Sequence, residues 1–159
     1  MRVPEVKVGD VMRRSFERLE SGTSVLEAAR LMTVTGQQAL PVVHGDRLLG
    51  MIAEGDILAR LLADSSKDVY YGLGHVDDDI CGCYREICRL PVDDLMSQRL
   101  LTATEDMPAL RAAGTMRARR VQRLPVIDGP QLVGLVFQTD IHAAILAASV
   151  RRDAALLPT

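Results

Sequence analysis

The sequence is poor in aromatic residues, and this limits what can fill its core. Its 159 residues include no tryptophan, two phenylalanines and three tyrosines. With 48% hydrophobic residues, the chain still has enough apolar material for one domain or for two very small ones. We therefore expect a core built from leucine, valine, isoleucine, alanine and methionine.

The sequence also lacks long apolar runs, a strong net charge and a cysteine framework. It has no apolar run of about 18 residues to span a bilayer, and its start, MRVPEVKVGD, lacks the apolar core of a secretory signal. A formal net charge of -2 gives no overall attraction to nucleic acid or to anionic membranes. Three cysteines, an odd number, favour reduced thiols over disulfides. We expect a cytoplasmic protein that binds neither nucleic acid nor membrane.

What the chain does contain is an internal repeat. Residues 8–62 align with residues 92–146 without a gap, at a constant offset of 84. The identical pairs include Leu40/Leu124, Pro41/Pro125, Val42/Val126, Gly50/Gly134 and Asp56/Asp140. The repeat predicts two copies of one supersecondary unit. Their expected bounds are 1–62 for the first copy, 63–91 for a connector, 92–148 for the second copy and 149–159 for a tail.

Each copy predicts the element order β-α-β-β-α, which belongs to the α+β class. An i, i+3, i+4, i+7 spacing of apolar residues predicts a first helix in each copy. These residues are Val25, Ala28, Ala29 and Met32 in one copy and Ala109, Ala112, Ala113 and Met116 in the other. Two apolar runs around His44-Gly45-Asp46, or around Asp128-Gly129-Pro130, predict a strand, a tight turn and a strand. A second helix is predicted from about Asp56 and from about Asp140.

Each copy resembles a CBS domain. The shared pattern, with h for an apolar residue, is an opening V-x-D-h-M, an amphipathic helix, L-P-V-h, a glycine turn, h-h-G-h-h and a closing D-I. The doubled pattern resembles the paired CBS, or Bateman, module, which implies two repeats packed as a pseudo-two-fold pair with clefts between them. The resemblance also implies a standalone regulatory protein that binds an adenosine-containing ligand such as AMP, ADP or ATP. It further implies a homodimer that signals to an unidentified protein, with no resident cofactor.

The resemblance assigns ligand-binding residues in both copies. In the family, the aspartate that ends G-h-h-(S/T)-x-x-D holds the ribose hydroxyls, and Asp56 and Asp140 occupy this position. An ionised carboxylate can accept hydrogen bonds from two vicinal hydroxyls, which supports that role. The segments Leu40-Pro41-Val42 and Leu124-Pro125-Val126 are expected to line a flat purine. Thr139, beside Asp140, belongs to the same predicted set.

Both aspartates also have a purely structural interpretation. S/T-x-x-D is the pattern of a helix capping box, in which the acidic residue at the third helical position accepts from the amide of the cap. Here Ala53 and Phe137 replace the Ser/Thr, and neither side chain can cap. A helix that begins closer, with Asp56 or Thr139 as its cap, is a further alternative. Phe137 either fills the second cleft or stacks on a base.

Basic residues are concentrated in the second copy. Residues 117–123 read RARRVQR, whereas the matching stretch of the first copy carries no charge. Ligand phosphates would favour Arg120 and Arg123 on this side. The alternative is that arginines after the last turn of a helix complement its dipole. Arg13 and Arg14 follow Met12, close to the stretch that runs beside the ligand in the family.

The connector contains all three cysteines, Cys81, Cys83 and Cys88. Their spacing, C-x-C-x4-C, lacks the C-x2-C pairs of common zinc sites, although His75 lies nearby. The pattern therefore favours a helix from about Tyr84 to Leu90, with Ile87 and Cys88 packed on the body, over a zinc or iron-sulfur site. A glycine-rich loop at residues 71–74 is expected to precede it.

Sequence signatures of common enzymes are absent. The chain contains no phosphate-binding loop of the Walker type, no G-x-G-x-x-G after a strand, no H-E-x-x-H and no G-x-S-x-G. We therefore expect a binding module rather than an enzyme.

Overall fold

The computed structural model describes residues 5–64 and 78–151. Its α-helices are α1 (Val8–Val11), α2 (Val25–Thr35), α3 (Glu54–Asp64), α4 (Asp78–Arg89), α5 (Ala109–Arg119) and α6 (Gln138–Val150). Its strands are β1 (Leu19–Glu20), β2 (Ala39–His44), β3 (Arg47–Ala53), β4 (Arg123–Asp128) and β5 (Gln131–Phe137). The predicted α+β class is confirmed. His75 and the glycine-rich loop at 71–74 lie outside the described residues.

The chain divides into two compact units that interleave the two copies of the sequence. Unit 1 combines the residues up to Phe16 with those from Leu101 onward, and unit 2 runs from Glu17 to Leu100. Each opening V-x-D-h-M segment therefore packs in the unit that holds the rest of the other copy. Val8 donates its N–H to Met107 O in unit 1 over 2.8 Å, and Val92 donates to Thr23 O in unit 2 over the same distance.

Unit 2 contains the complete predicted order of elements for one copy. Strand β1 pairs in parallel with β2, and β2 pairs antiparallel with β3, with Val42 opposite Gly50. Helix α2 begins after Ser24, whose hydroxyl accepts a hydrogen bond from Glu27 N and so satisfies a free amide of the first turn. Of the α2 side chains predicted to face the core, Val25, Ala28 and Met32 are buried, and Ala29 is half-buried against the same core.

Unit 1 repeats this construction around the β4–β5 hairpin. Val126 lies opposite Gly134, the position that corresponds to the Val42–Gly50 pair, and both hairpins carry an irregularity at the next residue. The first strand of this copy is reduced to a single parallel bridge between Ala103 and Val126. Of the predicted face of α5, Ala109, Ala112 and Met116 are buried, and Ala113 is half-buried against the same core.

Both hairpin turns are short and depend on glycine. Two residues, Gly45 and Asp46, separate β2 from β3, while Gly129 and Pro130 separate β4 from β5. The two glycines have φ angles of 61° and 59°, in the left-handed region that glycine enters at little cost. The predicted tight turns are confirmed.

Three helices begin earlier than the sequence predicts. Helix α3 begins at Glu54 rather than near Asp56, and α6 begins at Gln138 rather than near Asp140. The N–H groups of Glu54 and Gln138 donate to the carbonyls of Gln38 and Gln122 over 2.9 Å. Backbone carbonyls thus satisfy these first amides, and Asp56 and Thr139 lie inside their helices rather than at the N-cap position.

Helix α4 begins at Asp78, six residues before the predicted Tyr84. Its side chains Ile87 and Cys88 are buried, which confirms the predicted packing. Within the described part of the chain, no helix is long and apolar enough to cross a membrane.

Candidate functional site

A glycine in β5 allows the opening segment of the chain to lie directly against that strand. A Cβ at Gly134 would lie 2.9 Å from Met12 Sδ and 3.0 Å from Arg13 O. Because glycine leaves this space open, Arg13 N donates to Leu135 O over 2.8 Å, and Leu135 N donates to Arg13 O over 3.0 Å. This pair of hydrogen bonds fixes the backbone of Arg13 beside β5 in unit 1.

Unit 2 uses the same arrangement at the corresponding residues. A Cβ at Gly50 would lie 2.6 Å from Met96 Sδ and 2.9 Å from Ser97 O. Ser97 and Met51 exchange two backbone hydrogen bonds, of 2.8 and 3.0 Å. Ser97 therefore occupies the place in unit 2 that Arg13 occupies in unit 1.

The Arg13 side chain forms a two-point ion pair with Asp140. Arg13 Nε donates to Asp140 Oδ2 over 2.8 Å, and Arg13 Nη2 donates to Asp140 Oδ1 over 3.0 Å. This hydrogen bonding raises the pKa of Arg13 above its ordinary value, although burial opposes the shift. Asp140 is the third residue of α6, and its side chain is 27% exposed. Its carboxylate is therefore partly accessible to solvent, and it is already paired with the Arg13 guanidinium.

Phe137 lies next to this ion pair and contacts two arginines. The guanidinium carbon of Arg13 is 4.3 Å from the centre of the Phe137 ring, and that of Arg123 is 5.1 Å away. Both distances lie within cation–π range. Arg123 is opposite Phe137 in the β4–β5 register. Burial and, to a smaller extent, the charge of Arg13 lower the pKa of Arg123. We call Arg13, Arg123, Phe137 and Asp140 the Arg13 cluster.

The residues of unit 2 that correspond to the Arg13 cluster are Ser97, Ala39, Ala53 and Asp56. Asp56 is the third residue of α3, and its Oδ2 accepts a hydrogen bond from Ala53 N over 2.8 Å. This is the contact that the capping alternative describes, because the carboxylate reaches back to the amide just before the helix. A ligand contact at Asp56 stays a prediction. The same position thus serves helix capping in unit 2 and an ion pair in unit 1.

The two segments predicted to line a purine belong to the buried parts of the units. Leu40 and Val42 lie in the core of unit 2, and Leu124 and Val126 lie in the core of unit 1, each at most 1% exposed. Pro41 and Pro125 are also buried. These side chains stabilise their cores by removing apolar surface from water. Their contact with a ligand stays a prediction.

The remaining members of the predicted set lie on exposed surface. Arg120 ends α5 in a left-handed conformation, with φ 55°, and its N–H donates to the carbonyls of Arg117 and Met116. Its backbone therefore closes the helix. The role of its charge, at the helix dipole or toward a ligand phosphate, stays a prediction. Thr139 is exposed in the first turn of α6.

Arg13 is the member of the cluster that the predicted ligand set did not include. Its signal in the sequence is the replacement of one residue between the aligned copies, since Arg13 corresponds to Ser97. The alignment alone does not indicate a contact between Arg13 and Asp140, because these residues are 127 positions apart. The contact follows from the interleaving of the opening segments.

Unit 2 also contains a shallow, largely apolar cavity of about 250 Å³. Its lining residues are Ala29, Met32, Thr33, Glu54, Ile57, Leu58 and Tyr84. Burial, with a smaller effect of the neighbouring Cys88, raises the pKa of Tyr84. The Tyr84 hydroxyl therefore stays protonated at neutral pH. Asp56 and the Leu40-Pro41-Val42 segment do not line this cavity.

The cysteines of α4 differ in their exposure. Cys81 is exposed and Cys88 is buried, and all three cysteines of the chain are free thiols. Within residues 5–64 and 78–151, no group of three or more histidine, cysteine, aspartate or glutamate residues is arranged to hold a metal ion.

Comparisons with known proteins match both copies of the repeat. The family model described as "CBS domain" matches residues 8–63 and 92–147. The CBS domain-containing protein YhcV of Bacillus subtilis is 27% identical over 134 residues, which cover 84% of this chain and 81% of that protein. The A-adding tRNA nucleotidyltransferase of Geobacter sulfurreducens is 28% identical over 138 residues. This chain spans only 13% of the length of that enzyme.

A solved structure supports the fold over nearly the whole chain. The crystal structure of CBSX2 in complex with AMP has a TM-score of 0.69 and 24% sequence identity, and it covers 90% of this chain and 98% of that one. At this identity the likeness establishes the architecture.

Proposed function

The chain belongs to the CBS domain family, and we propose that it is a regulatory module that binds an adenosine-containing ligand such as AMP, ADP or ATP. The observation that carries the proposal is the surface carboxylate of Asp140, beside the Arg13 and Arg123 guanidiniums and the Phe137 ring. These groups supply the chemistry that such a ligand needs: a carboxylate for ribose hydroxyls and cations for phosphates. CBSX2, which has the same architecture, binds AMP.

In this proposal the ligand acts by favouring one conformation over another. A ligand that binds two conformations equally shifts no equilibrium, so a signal requires unequal affinity for them. An as yet unidentified protein would read the difference. The role is therefore regulatory rather than catalytic.

A second candidate function is a ligand-free interaction module. The observation in its favour is that both carboxylate oxygens of Asp140 already accept hydrogen bonds from Arg13. In unit 2, Asp56 is likewise used by its own helix. If these contacts are the only role of the aspartates, the module binds no nucleotide and serves to associate with other chains.

Thermal unfolding with and without ligand separates the two functions. A ligand at 100 times its dissociation constant stabilises the folded state by about 2.7 kcal/mol, which corresponds to roughly 5–10 °C in Tm for a chain of this size. We expect AMP, ADP or ATP to raise Tm, and Asp140→Ala to remove most of the increase. Asp128→Ala, which removes an exposed carboxylate at the end of β4, is the control and should preserve it. If AMP, ADP, ATP, NAD and S-adenosylmethionine all leave Tm unchanged, the interaction module is favoured.

We further propose that the module forms a homodimer. Leu26 in α2 and Leu110 in α5 occupy equivalent positions and are 38% and 69% exposed, and Leu62 and Leu146 are 39% and 54% exposed. Exposed apolar side chains repeated on both copies fit coverage by a second chain. Light scattering should give twice the chain mass, and Leu110→Glu should lower it. A monomer at all concentrations of the unchanged protein would contradict the homodimer.

A further inference from the structure

We infer that Arg13 makes unit 1 selective for phosphorylated nucleosides over unphosphorylated ones. In this inference, Arg13 holds the Asp140 carboxylate until a ligand phosphate offers the guanidinium another partner. The inference rests on the proposed function, since it assumes that Asp140 accepts the ribose hydroxyls. It adds the chemical class of ligand that unit 1 accepts and the residue that decides it.

The Arg13 guanidinium and a ligand ribose compete for the same two carboxylate oxygens of Asp140. Arg13 presents two neighbouring N–H donors, one to each oxygen of Asp140. A vicinal diol presents two neighbouring O–H donors with a similar spacing, so it requires the same two oxygens. Ribose binding at Asp140 therefore requires Arg13 to release it.

When a ribose binds Asp140, the Arg13–Asp140 ion pair is lost and other contacts must replace it. Hydrogen bonds between ionised groups are about twice as strong as those between neutral groups, so two hydroxyls do not fully replace the guanidinium. A phosphate on the ligand compensates for the lost ion pair, because an arginine fork binds phosphate in the same two-point geometry as carboxylate. Adenosine lacks this group and leaves Arg13 without an ionic partner.

The surroundings of Arg13 keep it available for this exchange. Its guanidinium lies over Phe137, and a cation–π contact does not depend on Asp140. The side chain of Arg13 is 51% exposed, so it can turn without disrupting the core. Arg123 adds a second positive charge beside the same ring, which further favours a ligand anion.

Unit 2 provides a natural comparison because it lacks these cations. Ser97 replaces Arg13, and Ala39 and Ala53 replace Arg123 and Phe137. Asp56 accepts from the backbone amide of Ala53 rather than from a guanidinium. A ligand at Asp56 therefore displaces no ion pair, and we expect unit 2 to distinguish AMP from adenosine only weakly.

Isothermal titration of the full chain with AMP and with adenosine tests the inference. All proteins carry Asp56→Asn, so that the titration reports unit 1. With Arg13 present, AMP should bind at least about tenfold more tightly than adenosine. Arg13→Ser, which introduces the residue found in unit 2, should remove this preference by weakening AMP binding and strengthening adenosine binding. Arg13→Lys keeps the charge but not the fork, and should give an intermediate ratio.

Arg14→Ser is the matched control. Arg14 follows Arg13, is exposed and pairs with Glu105 over 2.7 Å, so its replacement removes the same charge without affecting Asp140. We expect its AMP-to-adenosine ratio to equal that of the protein with both arginines.

The outcomes separate this inference from the proposed function. An unchanged ratio in Arg13→Ser, with AMP still bound, overturns selection by Arg13 and leaves nucleotide binding intact. AMP binding that disappears with Asp56→Asn alone overturns the inference and assigns the ligand to unit 2. If no protein, including the one with both aspartates, binds AMP or adenosine, both ideas fail. The melting temperature of each variant verifies that it is folded.

Discussion

Asp56 and Asp140 occupy equivalent positions in two copies of one sequence pattern, yet they have different partners. Each is the third residue of the last helix of its copy. Asp56 accepts a hydrogen bond from the amide of Ala53, whereas Asp140 binds the guanidinium of Arg13. The backbone around them is the same, since Glu54 N and Gln138 N donate to equivalent carbonyls over 2.9 Å in both units. The difference therefore lies in the side chains at a few aligned positions.

The comparison shows how one duplicated framework can place different side chains beside equivalent aspartates. The glycines, the hairpins and the opening segments position residues 13 and 97 identically, and one carries arginine while the other carries serine. Changing the side chain at such a position changes the charge near the aspartate without changing the fold.

The largest effect is expected from the glycines that contact the opening segments. A methyl group at Gly50 or at Gly134 would lie no more than 3.0 Å from a methionine sulfur and from a backbone carbonyl oxygen. Gly50→Ala and Gly134→Ala should therefore each lower the free energy of unfolding by about 1–3 kcal/mol, measured by urea denaturation. Gly50→Ala should cost more, because its contacts are closer.

Two other glycines provide controls within the same units. Gly55 in α3 and Gly114 in α5 have nothing within 4 Å of an added Cβ. Alanine at either position should raise the free energy of unfolding by about 0.5–1 kcal/mol, because it favours helix. Equal effects at all four glycines would show that close approach to the opening segments is not what requires glycine.

A smaller effect is expected where the first helix of each copy ends. Gly36 follows α2 with φ 67°, and Arg120 follows α5 with φ 55°. The left-handed conformation costs about 1–2 kcal/mol for a residue that has a Cβ, so Gly36→Ala should destabilise unit 2 by about 1 kcal/mol. Arg120→Gly should stabilise unit 1 by about 0.5–1 kcal/mol in the same urea assay.

Arg119→Gly controls for the loss of an arginine side chain. Arg119 is the last residue of α5, where glycine costs about 1 kcal/mol, so this variant should be less stable. Stabilisation by both substitutions would contradict conformational strain at Arg120.

The smallest effect concerns a carboxylate found in unit 2 alone. Asp93 accepts hydrogen bonds from the Ser21 hydroxyl over 2.5 Å and from Gly22 N over 2.6 Å, and these bonds lower its pKa. The aligned residue in unit 1 is Gly9, which donates its N–H to Glu105 O over 2.9 Å. Asp93→Asn should lower the free energy of unfolding by about 0.5 kcal/mol at pH 7.

The effect of Asp93→Asn should depend on pH in a defined direction. A pKa lowered by folding stabilises the protein above the unfolded value of about 3.9, and this stabilisation is lost as pH falls through the folded value. Unfolding midpoints of the two proteins should therefore converge below pH 4. Asp94→Asn, at the exposed neighbouring residue, is the control and should change the free energy of unfolding at pH 7 by less than about 0.5 kcal/mol. A constant difference down to pH 3 would exclude the carboxylate as its cause.

The fold could be predicted from the sequence because its signals are local and repeated. The spacing of Val25, Ala28 and Met32 predicts a buried helix face, and the glycines at 45 and 129 predict tight turns. The closing D-I motif identified Asp56 and Asp140, but not where their helices begin. Carbonyls of Gln38 and Gln122 satisfy the first amides of these helices, and no side-chain pattern reports that contact.

The partners of the two aspartates could be predicted only in part. The capping contact of Asp56 was one of two alternatives that the sequence left open, and it depends on a spacing of three residues from Ala53 that the sequence displays directly. The contact between Arg13 and Asp140 depends on the opening segment packing in the unit of the other copy. Long-range pairing of this kind arises from tertiary structure, and one sequence contains no local signal for it.

The most direct test of the account is the arginine Nε–Hε NMR signal of Arg13, assigned by its loss in Arg13→Ser. Because Arg13 Nε donates to Asp140 Oδ2, its Hε should exchange slowly in the free protein and rapidly in Asp140→Asn. Saturating AMP should shift this signal and keep it protected by the new phosphate partner, while adenosine should shift it and remove the protection. A signal that stays unchanged at saturating AMP would contradict the exchange of partners and, with it, the role of Arg13 as the selective residue of unit 1.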